Sequence, residues 1–260
     1  MNKHFSKSSI CPVCFHHCAL HEGQRGLCKA RENKDGRIVS ASYGQITSLA
    51  LDPIEKKPLY HFHPGQPILS VGSYGCNLSC AFCQNHSISQ ESDAPTRFLA
   101  PEELVRIAIE TAEEHGNIGI AFTYNEPLIQ YEYILDCAKY AKETDLAIVL
   151  VTNGTAEAEI LSTLLPFVDA MNIDVKGFSK EIYQRLGGDF ASVQRTVEMA
   201  CQKCHVEITS LIVPGLNDDP EEMRREARWL SSLDPAIPLH ITRCFPHYKM
   251  PHLRPTDIGL

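Results

Sequence analysis

No stretch of this 260-residue chain approaches the ~18 to 20 consecutive apolar residues of a membrane-spanning helix, which excludes that class of protein. Residues 1–10 are polar and lack the apolar centre of a secretion signal. Positive charge is in deficit: 24 Lys and Arg stand against 32 Asp and Glu, a net charge of −8. That balance argues against a broad nucleic-acid or anionic-membrane surface. With no export signal, a cytoplasmic location is expected, where thiols stay reduced. What the chain does have is cysteine, eleven in all. In a reducing compartment these read as metal chemistry, not disulfides. At 43% hydrophobic and 22% charged, the composition is that of an ordinary globular protein. The length suits one large α/β domain with a small appendage.

The chain is organised around residues 68–83, Ile-Leu-Ser-Val-Gly-Ser-Tyr-Gly-Cys-Asn-Leu-Ser-Cys-Ala-Phe-Cys. The apolar run 68–71 predicts a short buried strand, and Gly72 and Gly75 let the backbone turn tightly after it. Cys76, Cys80 and Cys83 follow with spacing Cys-x3-Cys-x2-Cys. The loop lacks a fourth cysteine, so it cannot by itself close a tetrahedral zinc site. Three thiolates can hold three irons of a [4Fe-4S] cluster and leave the fourth iron open to an outside ligand. The bland alternative is three buried thiols in a core.

Cys11, Cys14, Cys18 and Cys28 form a second group within eighteen residues, with His16, His17 and His21 among them. So little apolar material suggests a metal to hold a fold, either tetrahedral zinc or a second iron–sulfur cluster; the bland alternative is an unmetallated loop. The histidines read as solvated or packed rather than as ligands. The turn signal Asp35-Gly36 predicts a hairpin over residues 36–46. Residues 52–65 are proline-rich and cannot form a long helix. Within them Glu55, Lys56 and Lys57 read as a solvated charge run, although loops of this density are often functional.

From residue 101 the pattern alternates regularly. Helices are expected over 101–115, 128–142, 156–165, 221–233 and, broken, 179–204. Strands are expected over 118–122, 146–151, 168–173, 205–213 and 237–241. With 68–71 this makes six strands and predicts a parallel α/β sheet with right-handed crossovers. Glu126, Asn153, Asp174, Lys176 and Asn217 each fall just after a strand end. Barrels gather such residues on one rim, which favours a TIM-type barrel over a doubly wound sheet.

The three-cysteine loop resembles the signature of radical S-adenosylmethionine (radical SAM) enzymes. That resemblance implies a partial (β/α)6 barrel here. It also implies a [4Fe-4S] cluster at Cys76, Cys80 and Cys83, and S-adenosylmethionine bound at the open iron. One-electron reduction then splits the cofactor into methionine and a 5′-deoxyadenosyl radical, which abstracts a hydrogen atom. By the same resemblance Glu126 accepts from the α-ammonium of S-adenosylmethionine; the alternative is a helix-start carboxylate. Asn153 is either a contact to the cofactor's ribose or carboxylate or a plain Asn-Gly turn. Asp174 and Lys176 are either an ion pair on the rim or contacts to cofactor or substrate. Arg243 is either a bidentate carboxylate partner or a rim salt bridge. Cys201-Gln-Lys-Cys204-His205 matches a haem-attachment pattern but reads better as two thiols at a helix end.

Three stretches together are more specific: Cys11-Pro-Val-Cys-Phe-His-His-Cys18 with Cys28, the Glu-Lys-Lys-Pro-Leu-Tyr-His-Phe run from Glu55, and residues 72–85. They resemble the radical SAM enzyme of the AmmeMemoRadiSam system, a relative of pyruvate formate-lyase activating enzyme. The resemblance implies an electron donor such as flavodoxin or ferredoxin, and Memo-like and AMMECR1-like companion proteins. Members of that family continue beyond the point where this sequence ends, so the C-terminal part reads as shortened and Thr256-Asp257 as a helix cap. The expected division is residues 1–66, an N-terminal four-cysteine module with a connecting segment, and residues 67–260, the barrel core. A rival reading is a non-catalytic iron–sulfur or zinc protein for electron transfer or scaffolding, which would need a fourth ligand on the central cluster.

Overall fold

The computed structural model of the chain describes residues 8–91 and 93–260; residues 1–7, at its polar start, lie outside them. At the centre is a seven-stranded sheet. Its strands are β1 (Ser48–Pro53), β2 (Pro67–Gly72), β3 (Gly119–Phe122), β4 (Ala147–Thr152), β5 (Ala170–Asp174), β6 (His205–Ile212) and β7 (Leu239–Arg243). Their order across the sheet follows the order in the chain. Strands β2 to β7 are parallel, and β1 runs antiparallel to β2, with Ser48 opposite Gly72 and Pro53 opposite Pro67. The six predicted strands are therefore present. The seventh, β1, arises from a segment whose prolines suggested only a loop.

The crossovers carry α1 (Pro101–His115), α2 (Tyr131–Ala141), α3 (Ala158–Leu164), α4 (Phe190–Ala200) and α5 (Pro220–Leu233). Helix α1 illustrates why they form. Pro101 starts it, where a missing N–H costs nothing, and Glu102 and Glu103 face the positive end of its dipole. Leu104, Val105 and Ala108 make its buried stripe, and Gly116 at φ 72° ends it.

Alternation along the strands then separates two cores. Ile148 and Leu150 of β4 join the large core beneath the helices, whereas Val149 between them faces inward with Ile68, Ala121 and Ala170. The connecting loop after β1 completes that inner cluster: Ile54 and Leu59 are fully buried in it, and Phe62 packs against it. Residues 54–62 therefore plug the bore near the starts of the strands. The plug is pinned by the carbonyl of Pro58, which accepts a 3.0 Å hydrogen bond from Asn172 Nδ2 on β5. Edge strands β1 and β7 do not pair with each other, so the barrel is open along one side.

Three expectations need correction. Lys57 is 1% exposed rather than solvated, because Asp52 and Tyr124 supply polar partners inside the fold. The hairpin is Arg31–Lys34 with Arg37–Ser40 about Asp35-Gly36, since a turn signal needs an arm on each side; Gln45–Ile46 instead pairs with Arg97–Phe98. Thr256 caps no helix within residues 244–260. It is buried, with its hydroxyl donating to the carbonyl of Ile212 and accepting from the amide of Cys244.

Candidate functional site

The loop after β2 delivers three thiols to the ends of the parallel strands. Gly75 makes the turn at φ 91°, a conformation that disfavours any side chain. Cys76, Cys80 and Cys83 then line one cleft of about 400 Å³. Glu126, Asn153 and Lys176 line the same cleft from just beyond the ends of β3, β4 and β5, and Asp174 lines it from the last position of β5. The structure thus brings together seven of the eight residues that spacing and strand position singled out. Asn217 stays outside this wall. It donates to the carbonyls of Lys176 and Leu211 and accepts from the amide of Val213, which braces the turn beneath Lys176.

Burial pushes the Cys80 thiol up to about 11 and the Cys76 thiol well above its ordinary value. The Lys176 ammonium opposes this at both sulfurs. Burial also works against the charge on Lys176, but the Asp174 carboxylate outweighs it and holds the ammonium protonated. Lys176 Nζ lies 3.3 Å from Asp174 Oδ2, so the rim ion pair is formed. Buried metal-free thiols are protonated, and a bound metal would displace those protons.

Glu126 is 2% exposed, and burial raises its carboxyl to about 7. It accepts from the Thr152 hydroxyl at 2.6 Å, the Asn153 amide at 2.8 Å and the Leu128 amide at 3.0 Å. With about four lone-pair positions on a carboxylate, roughly one remains for a ligand. The side chain of Asn153 is more fully engaged. Its Nδ2 reaches Asn77 Oδ1 at 3.0 Å and Cys76 Sγ at 3.6 Å, and its Oδ1 accepts from the amide and hydroxyl of Thr155. Arg243 lines the cleft too, but its Nε donates to the Thr256 carbonyl rather than to a carboxylate.

The second group, Cys11, Cys14, Cys18 and Cys28, is also gathered. Cys11, Cys14 and Cys28 are buried and Cys18 is half-buried. Burial raises Cys11 and Cys28 and pushes Cys14 up to about 11, and the four thiols lie near enough to perturb one another. His16 bonds to the Asn77 carbonyl and His17 pairs with Glu157. The segment is stitched to the barrel by a bridge between Cys14 and Ala156 and by the Glu157 amide donating to Val13.

Two participants escaped the sequence reading. Asn77 sits inside the cysteine motif, yet nothing in the sequence pairs it with Asn153. Pro58, at the tip of the plug, forms part of the cleft wall. Cys201 and Cys204 lie at and just beyond the end of α4, and the Cys204 thiol donates to the Ala200 carbonyl, as the reading of two thiols at a helix end requires.

Residues 70–227 match the family model described as the radical SAM superfamily. The uncharacterized protein MJ0808 of Methanocaldococcus jannaschii is 39% identical over 259 residues, covering 95% of this chain and 74% of that protein. The pyruvate formate-lyase-activating enzyme of Clostridium pasteurianum is 26% identical over 165 residues, 61% of this chain and 67% of its own. Among solved structures, Streptococcus suis SuiB shares the fold with a TM-score of 0.55 at 12% identity, covering 72% of this chain and 41% of that one. No helix among the described residues is long and apolar enough to cross a membrane.

Proposed function

The chain belongs to the radical SAM superfamily, and we propose that it cleaves S-adenosylmethionine reductively in the cleft at the strand ends, as the radical SAM enzyme of an AmmeMemoRadiSam-type system. Family membership implies a [4Fe-4S] cluster and S-adenosylmethionine. The observation that carries the reading is three thiols, and only three among the described residues, on one cleft. Cys244 is buried in the same apolar cluster as Cys80, but it does not line the cleft and its thiol donates to the Phe245 carbonyl. An electron carrier would need that fourth ligand.

Cys76, Cys80 and Cys83 would hold the cluster. Bound there, it supplies the electron that splits S-adenosylmethionine and starts hydrogen abstraction. The chain's own residues do the positioning. Lys176 offsets the negative charge of the thiolates, and Asp174 fixes the ammonium that does so. Glu126 keeps an acceptor position open toward the cleft, where an α-ammonium would make a charge-assisted bond. Asn153 orients Cys76 and Asn77. We assign Glu126, Asn153, Asp174 and Lys176 to the frame around S-adenosylmethionine.

For Cys11, Cys14, Cys18 and Cys28 we favour a second iron–sulfur cluster over zinc. No three of these sulfurs lie within 4.8 Å of one another. Sulfurs on tetrahedral zinc, with Zn–S near 2.3 Å, stand only about 3.8 Å apart. Residues 1–66 are then the four-cysteine module and its connecting segment, the latter ending as β1 and the plug, and residues 67–260 the core. Flavodoxin or ferredoxin would supply electrons. Memo-like and AMMECR1-like proteins are the proposed companions, in a reducing cytoplasm suited to eleven free thiols.

The test is anaerobic reconstitution, reduction and addition of S-adenosylmethionine. Wild type is expected to release 5′-deoxyadenosine and Cys80→Ala none. A cluster that survives Cys80→Ala refutes the ligand assignment. Metal analysis of a variant lacking Cys76, Cys80 and Cys83 is expected to find iron, not zinc, in the N-terminal module. An anaerobic pull-down tests the companions.

A further inference from the structure

At the other end of the barrel, where the strands begin, five nitrogen donors crowd one carboxylate. Glu207 is the third residue of β6, and its side chain is wholly buried. Its Oε1 accepts from the His61 amide at 2.7 Å and lies 2.9 Å from His205 Nε2. Its Oε2 accepts from the Tyr60 amide at 3.0 Å and lies 3.3 Å from His61 Nδ1 and 2.6 Å from His240 Nε2. A carboxylate offers about four lone-pair positions, so five N–H groups overfill it. The two amides must donate. The imidazoles need not, because a neutral ring nitrogen can present its lone pair to a cation instead.

Among the described residues, His61, Glu207 and His240 form the one trio of His, Cys, Asp or Glu whose ligand atoms all lie within 4.8 Å of one another. They come from three separate segments: the plug, β6 and β7. We propose that His61 Nδ1, Glu207 Oε2 and His240 Nε2 bind a divalent first-row transition ion, with zinc as the representative case. Two imidazoles and one carboxylate are the donor set of zinc and ferrous sites that keep further positions for water. His205 braces the carboxylate from its other oxygen, the role that outer hydrogen-bond partners play around metal ligands. The His61 side chain is 62% exposed, so solvent reaches the trio. The ion ties the end of the plug to the two last strands, three residues beyond the Pro58 that walls the cleft. This site is independent of the thiols and of the radical reading.

The test loads zinc into the reconstituted holoprotein under anaerobic conditions and counts zinc after desalting. Wild type is compared with His61→Ala and His240→Ala; all eleven cysteines are retained in each, so any difference reports this site alone. Wild type is expected to hold one more equivalent than either variant, with half-saturation at least about tenfold weaker in the variants. Zinc is also expected to raise the melting temperature of wild type and not of His61→Ala. Equal zinc in wild type and His61→Ala overturns the proposal. His61 is a surface loop position, and far-UV circular dichroism checks that its variant folds. X-ray absorption at the zinc edge of wild type is the second readout: a shell containing histidine nitrogen supports the site, and an all-sulfur shell overturns it.

Discussion

Asn153 Nδ2 donates to Asn77 Oδ1 at 3.0 Å, and this pair of buried amides stands between the two groups of thiols. Asn77 bears on Cys14 and Asn153 on Cys76, so each group touches the same two-residue bridge. Replacing Asn77 by Ala leaves the Asn153 amide and the Thr155 hydroxyl short of partners. Each keeps one partner, Cys76 Sγ for the amide and Asn153 Oδ1 for the hydroxyl, so the combined cost is about 1–3 kcal/mol. Denaturant titration of Asn77→Ala is expected to show a loss in that range, and iron analysis a deficit at both thiol groups. A deficit confined to one group would mean that the bridge does not couple them.

Gly75 is a second point of contact between the same two regions. A Cβ there would lie 2.5 Å from the Cys28 carbonyl oxygen and 3.0 Å from Ala30 Cβ, at a φ of 91°. The left-handed backbone alone costs a side chain about 1–2 kcal/mol. Gly75→Ala is therefore expected to lose more than that in chemical denaturation and to retain less iron, because the cysteine loop and the N-terminal module cannot approach. Gly65→Ala, at φ 80° with nothing near its Cβ, is the control that carries backbone strain without the collision.

Lys57 Nζ lies 3.0 Å from Asp52 Oδ2 in a buried pair joined by the Tyr124 hydroxyl at 2.7 Å from the same oxygen. Burial opposes the charge on Asp52, but Tyr124, Lys56 and Lys57 outweigh it and hold the carboxyl well below its usual 3.8. This contribution is complete above pH 3.8 and is lost as pH falls through the lower folded value. Lys57→Met is expected to cost about 3 kcal/mol, at the lower end for a broken buried pair because Lys56 and Tyr124 remain. Its stability should also decline less steeply between pH 4 and pH 2, as measured by denaturation across that range.

Glu226, on α5, is 3% exposed and takes a 2.6 Å hydrogen bond from Ser210. Burial raises it from 4.5 to about 7. Between those values the folded chain binds the proton more tightly than the unfolded one, so stability falls as pH rises from 4.5 to 7 and levels off above. The decline from this group is on the order of 3 kcal/mol. Glu226→Gln is expected to remove it. Glu126, also raised to about 7, has the same sign and stays, so the slope of stability against pH should fall by about half.

The barrel strands, the helices between them and the polar groups after each strand end were legible because each rests on local pattern. Short apolar runs, a proline at a helix start and a cysteine spacing each lie within a few residues. What the sequence concealed depends on distant partners. Lys57 looked solvated in its charge run, yet it is made internal by Tyr124, sixty-seven residues on. Residues 52–65 looked like a loop, but the first of them pair with β2, and Ile54, Leu59 and Phe62 fill the bore. Asn77 and Asn153 lie seventy-six residues apart, and neither announces the other. Glu207 left one signal that could have been followed: a carboxylate in a strand that reads as buried needs internal partners, and His205 two residues earlier faces the same side.

The plug makes the bore a dead end. With Ile54, Leu59 and Phe62 seated among the inward residues of the strands, no molecule can pass through from below. Traffic to Cys76, Cys80 and Cys83 therefore comes from the strand-end mouth or through the open side between β1 and β7, and never from beneath.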